Sequence, residues 1–431
     1  MNKTQSNKSR VSELYAHEVE VEGHLIDSMI LSRIWDKIMD LGGDFEVLEF
    51  RVGRRKTDYS YARMLVKGRD QGHLNLILEE IYRLGAVSKT AEEVKCERAQ
   101  RDSVAPDGFY STTNNPTFIY YGGRWIEVED MMMDKVVVVD AEEGRAFCKP
   151  LTEIREGDLI VVGETGIKVK PPERPRENIG IFEFMGSSAS SEKPVASIIK
   201  QIAEDIQNVK ESGGKIVVVA GPAVVHTGAT EAFATLIREG YVDALLTGNA
   251  LAVHDVEAVI YGTSLGISLK DGTRSSHRNH MAAINEVFKA GSLKEAVEKG
   301  VLKKGIIYEC IKKGIPLVIA GSIRDDGPLP DTITDVVVAQ KMYKEALKGA
   351  DIVLMLATML HSIAVGNMLP SDVKLICVDI NLPAVTKLLD RGTTQAVGIV
   401  SDVGTFLPLL VEELKKSKSM RSKSSETSVA P

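Results

Sequence analysis

From Lys215 onward the chain repeats one arrangement six times: a short apolar run ends in a small or polar residue, and a helical pattern or loop follows. The runs are KIVVVAG (215–221), VDALLTG (242–248), IPLVIAG (315–321), ADIVLML (350–356), VKLICVD (373–379) and QAVGIVS (395–401). Strands that are apolar throughout must be covered on both faces, which parallel sheets achieve with helical crossovers. Helical patterns at 228–240 and 334–349 supply two such crossovers. The alternation predicts an α/β domain over 194–414 with a doubly wound, mainly parallel sheet.

In open α/β sheets, ligands sit beyond the carboxyl ends of the strands. Those ends carry Gly221-Pro222 leading to His226-Thr227-Gly228, Thr247-Gly248-Asn249-Ala250, Thr358-Met359-Leu360-His361, Asp379-Ile380-Asn381 and Ser401-Asp402-Val403-Gly404. Small residues let a ligand approach the backbone, and a following helix N-terminus offers free N–H groups to phosphate. Asp379 reads either as a ribose ligand, which favours NAD over NADP, or as a helix N-cap. Neither GxGxxG nor GxxxxGK[ST] is present, so a nucleotide-binding sheet here would be a variant.

The segment PLVIAGSIRDDGPLPD sets Arg324, Asp325 and Asp326 just beyond a buried run. They are either site groups or a surface turn closed by Gly327-Pro328. His277 and His280 read as loop or cap residues rather than metal ligands, since no carboxylate motif accompanies them, and no metal is expected. His254 and Asp255 either line the site or bond each other. Lys270, in SLKDG, is a carboxylate anchor, a desolvated base or simply an exposed lysine.

Upstream, residues 14–103 follow the order β-α-β-β-α-β, the split βαβ or ferredoxin-like arrangement. Residues 104–172 hold short strands separated by Gly, Asp and Asn, which predicts a small β domain. Arg51, Arg54, Arg55 and Lys56 form a basic knot that suits a carboxylate or a solvated strand face, and STTNNP (111–116) reads as a site wall or as turn chemistry. A Pro- and charge-rich linker runs over 169–178, and polar tails are expected at 1–13 and 415–431, the second rich in Ser and Lys.

Of the 431 residues, 53 are basic and 60 acidic, a net charge of -7 that argues against nucleic acid as a partner. No run reaches the ~18–20 apolar residues of a membrane span, and the N-terminus lacks the apolar core of a secretory signal. Four scattered cysteines form no CxxC pair, which points to reduced thiols in the cytoplasm.

The stretch VEGHLIDSMILSRIWDKIMDLGGDFEVLEFRVGRRKTDYSYARMLVKGRD resembles the LOR/SDH region, named for lysine-ketoglutarate reductase/saccharopine dehydrogenase. LLTGNALAVHDVEAVIYGTSLG, HRNH, AGSIRDDGPLPD, LATMLHSIAVGNMLP and CVDINLPAVTKLLDRG resemble the archaeal-type ornithine cyclodeaminases and the C-terminal part of the cyanobacterial arginine dihydrolase/ornithine cyclodeaminase. The likeness covers about residues 15–412, and the dihydrolase domain of the cyanobacterial protein has no counterpart.

The resemblance implies a deoxyhypusine-synthase-like NAD-binding domain and conversion of L-ornithine to L-proline and ammonia with NAD recycled in each turnover. Cofactor contacts carried over by matching position are Asn249, Ala250, Asp326, Thr358, Met359, Leu360, His361, Asp379, Asp402 and Val403. Asp325 is then the candidate proton-transfer or amine-binding group, and Lys270 the candidate carboxylate anchor or base. A homo-oligomer is expected, since deoxyhypusine-synthase-like domains often assemble. Two rivals are a net NAD(P)-dependent oxidoreductase of the saccharopine or lysine-reductase kind and a regulator that binds NAD or an amino acid without turnover.

Overall fold

The computed structural model describes residues 15–170 except 27, 56, 57, 90 and 91, residues 195–391 except 266, 271, 273–277 and 326, and residues 396–427. The expected tail at 1–13, most of the linker, Lys56, His277 and Asp326 lie outside them. The chain divides into two compact units, residues 1–182 with 367–371 and residues 183–366 with 372–431.

The first unit opens with β1 (Ala16–Gly23), α1 (Ile30–Asp40), β2 (Asp44–Arg51), β3 (Ser60–Lys67), α2 (Gln71–Tyr82) and β4 (Val87–Ser88). The strands lie β2-β3-β1-β4, all antiparallel. Alternation sets the buried face: Ala62, Met64 and Val66 of β3 point inward, and Ile34, Ile38, Ile77 and Ile81 of the helices cover them. Asp70 caps α2 by accepting from the His73 N–H at 2.8 Å.

A seven-stranded sheet follows, made of β5 (Lys95–Arg98), β6 (Thr117–Tyr121), β7 (Arg124–Glu129), β8 (Val136–Asp140), β9 (Arg145–Lys149), β10 (Leu159–Val162) and β11 (Ile167–Val169). Because β5 pairs with β10, this sheet starts before the boundary expected at 103. Thr112 of STTNNP is buried, and its hydroxyl donates to the Met132 carbonyl at 2.6 Å. The Asn114 carbonyl accepts from the Ser371 N–H at 2.8 Å, and Met131 and Met132 are core. STTNNP and the methionine run therefore hold this unit together, including residues 367–371.

The second unit comprises α3 (Val195–Glu211), β12 (Lys215–Ala220), α4 (Ala223–His226), α5 (Thr230–Arg238), β13 (Ala244–Gly248), α6 (Asn249–Tyr261), β14 (Thr263–Ser264), β15 (Ile267–Ser268), α7 (Arg278–Ala290), α8 (Leu293–Glu298), α9 (Ile306–Lys313), β16 (Leu317–Ala320), α10 (Val336–Leu347), β17 (Ala350–Leu356), α11 (Met359–Gly366), β18 (Lys374–Asp379), α12 (Leu382–Arg391), β19 (Val397–Val400) and α13 (Val403–Thr427). The main sheet runs β16-β13-β12-β17-β18-β19, and every pair is parallel. All six predicted strands are present. Val217, Val218 and Val219 are fully buried, each worth about 1.5–3 kcal/mol of apolar burial.

Two expectations change here. The C-terminal tail is helical as far as Thr427, because α13 begins in the core with Phe406, Leu407, Leu410 and Leu414. Gln207 donates to the Leu414 carbonyl at 2.9 Å and Ser417 bonds Gln207, so the Ser/Lys stretch extends an anchored helix. His254 and Asp255 do not bond each other. The Asp255 carboxylate, 1% exposed, accepts from Ile306 N–H at 3.1 Å and Ile307 N–H at 2.9 Å and caps α9.

Replacing Asp255 with Ala strands those two buried N–H groups. Urea unfolding should show a loss of about 1–3 kcal/mol. A loss below a few tenths would mean that water takes over the cap.

Candidate functional site

In order of appearance the six parallel strands lie third, second, first, fourth, fifth, sixth. The winding reverses between β12 and β17, so crossovers leave that pair on opposite faces and open a crevice at its carboxyl end. Gly221 follows β12 there. Its N–H donates to the Leu356 carbonyl at 2.9 Å, and a Cβ on it would lie 2.2 Å from the Ala357 oxygen. Ala357 has φ +47°, a conformation that side chains disfavour, and it turns the chain from β17 into α11.

The first turn of α11 then faces the neighbouring strand end. Thr358 Oγ1 lies 3.1 Å from His361 Nδ1, and the imidazole fills the space a Gly248 side chain would need, with Cε1 2.7 Å from an added Cβ. The Tyr343 hydroxyl donates to the Thr247 carbonyl at 2.8 Å, and its ring lies 6.3 Å from that of His361. Burial lowers the His361 pKa, and the Asp325 carboxylate acts in the opposite direction. The Ser362 hydroxyl, also in this turn and buried, has no partner among the described residues. Met359, Leu360, Ile380 and Leu382 beyond β17 and β18 and Ile323 beyond β16 are exposed apolar groups.

The other expected cofactor residues occupy strand ends of the same sheet, but several are engaged in shaping the backbone. Asn249 Oδ1 accepts from the Leu329 N–H at 3.0 Å and the Thr332 hydroxyl at 2.9 Å, which fixes the loop after β16. Ala250 is half-buried in the first turn of α6. Asp379 is buried and accepts from the Asn381 N–H at 2.8 Å, a turn just before α12 rather than the helix N-cap the sequence left open. Asp402 accepts from the Gly404 N–H at 3.1 Å and starts α13, where Val403 is buried.

The two candidate catalytic residues fare differently. Asp325 Oδ2 accepts from the Ser322 N–H at 2.7 Å, so it closes a turn while its charge still reaches His361. Arg324 is exposed. Lys270 is exposed too, which removes the desolvation a lysine base requires and leaves the carboxylate-anchor and plain surface-lysine readings.

A histidine-rich network joins α4, which follows β12, to α6, which follows β13, and to β14 and α7. His226, beyond β12, has Nδ1 2.6 Å from Ser264 Oγ. Ser264 Oγ is 3.3 Å from His254 Nδ1, and that nitrogen is 3.5 Å from Glu257 Oε2. His280 Nδ1 reaches the same oxygen at 3.2 Å. Glu257 has no exposure; it also accepts from the Thr263 hydroxyl at 2.8 Å and the Leu265 N–H at 3.1 Å. Leu265 aims that N–H from φ +51°.

The ligand atoms of His254, Glu257 and His280 lie within 4.8 Å of one another. Both Glu257 oxygens already accept from protein donors, which favours a hydrogen-bonded network over a metal centre. Sequence reading singled out the histidines but missed Glu257 and Ser264. A signal existed in His254 and Glu257, three apart on one helix face.

In the first unit, Glu20, Glu22, Tyr59, Tyr61, Lys168 and Lys170 help line a groove of about 280 Å³. Of the basic knot, Arg51 lies on the face of β2, where it pairs with Glu49 at 3.1 Å and stacks on Tyr61 at 4.6 Å, and Arg54 and Arg55 follow the strand.

Two measurements check this geometry. Asn249→Ala removes the acceptor for Leu329 and Thr332, so amides in the loop after β16 should exchange with solvent roughly tenfold faster, the equivalent of about 1.4 kcal/mol. Unchanged exchange would deny Asn249 its anchoring role. His226, crowded by burial and then by His254, has its pKa lowered from 6.5 to about 4. The unfolded chain therefore takes up this proton first, and stability falls as pH drops from about 6.5 towards 4. His226→Gln should flatten that fall, read by urea midpoints across the range; an unchanged slope would assign it to other groups.

Comparison with known proteins places the chain. Residues 16–115 match the LOR/SDH bifunctional enzyme conserved region, 116–199 the first C-terminal region of arginine dihydrolase ArgZ-like proteins, and 200–410 their C-terminal Rossmann fold. The chain is 58% identical to the ornithine cyclodeaminase of Methanocaldococcus jannaschii, over 94% of this chain and 97% of that one. It is 59% identical to the Methanopyrus kandleri ornithine cyclodeaminase, over 92% and 97%. Cyanobacterial ArgZ in its apo crystal structure superposes with a TM-score of 0.82 at 41% identity, over 94% of this chain but only 58% of ArgZ. AgrE in ternary complex with ornithine and NAD+ gives a TM-score of 0.52 at 43% identity, over 94% of this chain and 58% of AgrE. Matched nearly end to end at such identity, the chain belongs to the archaeal ornithine cyclodeaminase family.

Proposed function

We propose that the protein converts L-ornithine to L-proline and ammonia, with NAD held at the carboxyl ends of the six-stranded sheet. The near-complete match to proteins named for that reaction carries the reading. The complex of AgrE with ornithine and NAD+ supports the ligand pair.

The residues at the crevice suit a dinucleotide. Gly221 lets the ends of β12 and β17 approach and Gly248 admits the His361 ring, α11 opens with the free N–H groups of a helix start, and the Ser362 hydroxyl is buried without a described partner. Met359 and Leu360 offer exposed apolar surface beside them. NAD, when bound, supplies a hydride acceptor and returns the hydride, so substrate and product stand at the same oxidation level. The protein's own tasks are to hold Cα in reach, bring the δ-amine against it and exclude water. Closing the ring intramolecularly avoids the entropy cost of a two-body encounter. Asp325, beside His361, suits the binding of a substrate amine, and exposed Lys270 its carboxylate.

A cytoplasmic homo-oligomer belongs to the same reading. The four cysteines are free, and no helix among the described residues is long and apolar enough to cross a membrane. The exposed apolar groups at the strand ends suit a cover by ligand or by a second copy, which sedimentation with and without NAD would distinguish.

Purified protein given ornithine and no added cofactor should release proline, and a denatured extract should contain NAD. Ornithine deuterated at Cα should yield proline that keeps the label. Steady accumulation of free NADH with no proline would replace this reading with net oxidation. Gly248→Ala forces the His361 ring away and should lower the NAD that co-purifies severalfold; full retention would take His361 out of the cofactor site.

A further inference from the structure

We propose that His226, Ser264, His254 and Glu257 form a proton relay that takes the proton from the substrate's α-ammonium group, with His226 as the group that meets the substrate. The proposal rests on the ornithine reaction argued above, because an amine must lose its proton before Cα can give up hydride.

The network has one exposed end and one buried end. His226 keeps an exposed edge although its ring is partly enclosed, Ser264 and His254 are buried, and Glu257 is fully enclosed. A carboxylate without solvent is costly unless donors surround it. Three groups do so here: the Thr263 hydroxyl, the Leu265 N–H and His280, while His254 Nδ1 stands 3.5 Å away. A merely structural role would not require a chain of hydrogen bonds from that carboxylate to the surface. The exposed end belongs to α4, the short helix that follows the carboxyl end of β12. His226 follows β12, and its neighbour Thr227 touches the start of α13, where a Cβ on Gly404 would lie 2.7 Å from Thr227.

The transfer balances within the chain. In the receptive state His226 carries its proton on Nδ1, and the Ser264 hydroxyl donates to His254 Nδ1. The substrate proton moves to His226 Nε2. The Nδ1 proton of His226 passes to Ser264 Oγ as the hydroxyl proton moves to His254 Nδ1, across separations of 2.6 and 3.3 Å. His226 ends neutral, and the positive charge rests on His254, 3.5 Å from the Glu257 carboxylate. The charged and titratable groups around His226 are His254, Glu257 and His280. Their joint effect and burial leave His226 a poor resting place for a proton, which suits a group that passes it on.

The test uses His226→Gln and Ser264→Ala in the full-length protein. His226→Gln should retain NAD and lower kcat by about a hundredfold or more, with partial rescue by added imidazole. Ser264→Ala keeps both imidazoles but breaks the link, and should shift the acid limb of the kcat/KM profile while NAD content stays constant. Activity within threefold of wild type in both variants would overturn the relay, as would stoichiometric zinc in the active protein, since His254, Glu257 and His280 would then be ligands. If the unaltered protein makes no proline from ornithine, the functional reading fails first, a result distinct from active wild type with insensitive variants.

Discussion

The parallel pairing of β12 with β17 is the contact on which the second unit depends. Val217 to Ala220 align with Val353 to Leu356, and beyond them Gly221 packs so tightly against Ala357 that no Cβ fits. That closeness has two effects. It joins the halves of the sheet where the winding reverses, and it clears side chains from the crevice above. Other approaches extend the same construction: Gly248 lies under His361, and Gly404 lies against Thr227. These glycines replace the missing GxGxxG loop with close contacts between separate strand ends.

The polar residues around this crevice divide into those that build and those with capacity left over. Asn249, Asp255, Asp379 and Asp402 spend side-chain oxygens on backbone N–H groups of loops and helix starts. Conformational entropy opposes every ordered loop, so such anchors keep strand-end segments in one arrangement. A carboxylate at a strand end is therefore weak evidence for a ligand contact until its partners are known. His361 and Ser362, by contrast, sit in the first turn of α11, where His361 meets the Thr358 hydroxyl and the buried Ser362 hydroxyl has no partner among the described residues. Electrostatics couples these groups across elements, because the Asp325 carboxylate acts on the buried His361 ring.

Legibility followed the range of the interaction. The six strands could be read because an apolar run bounded by glycine or a polar residue is local information. The split βαβ order could be read for the same reason, from alternation in β3 and helical spacing in α1. The tail at 415–431 was misread because its composition is polar, whereas its helix is held by Leu410 and Leu414 upstream and by Gln207 on α3. Strand β5 lies before the boundary expected at 103 yet pairs with β10, because pairing partners are set across distance, not by the run itself.

The sequence by itself determined the element types, the doubly wound class and the set of strand ends where chemistry could occur, since periodicity and small residues act within a few positions. Only the tertiary structure decided how those ends are used. It made Asn249 an anchor and Lys270 an exposed cation, and it gathered His226, His254, Glu257, Ser264 and His280 into one network. Those residues come from α4, α6, β14 and α7, and beyond the His254–Glu257 pair on α6 no sequence spacing encodes contacts that exist only once these elements pack together.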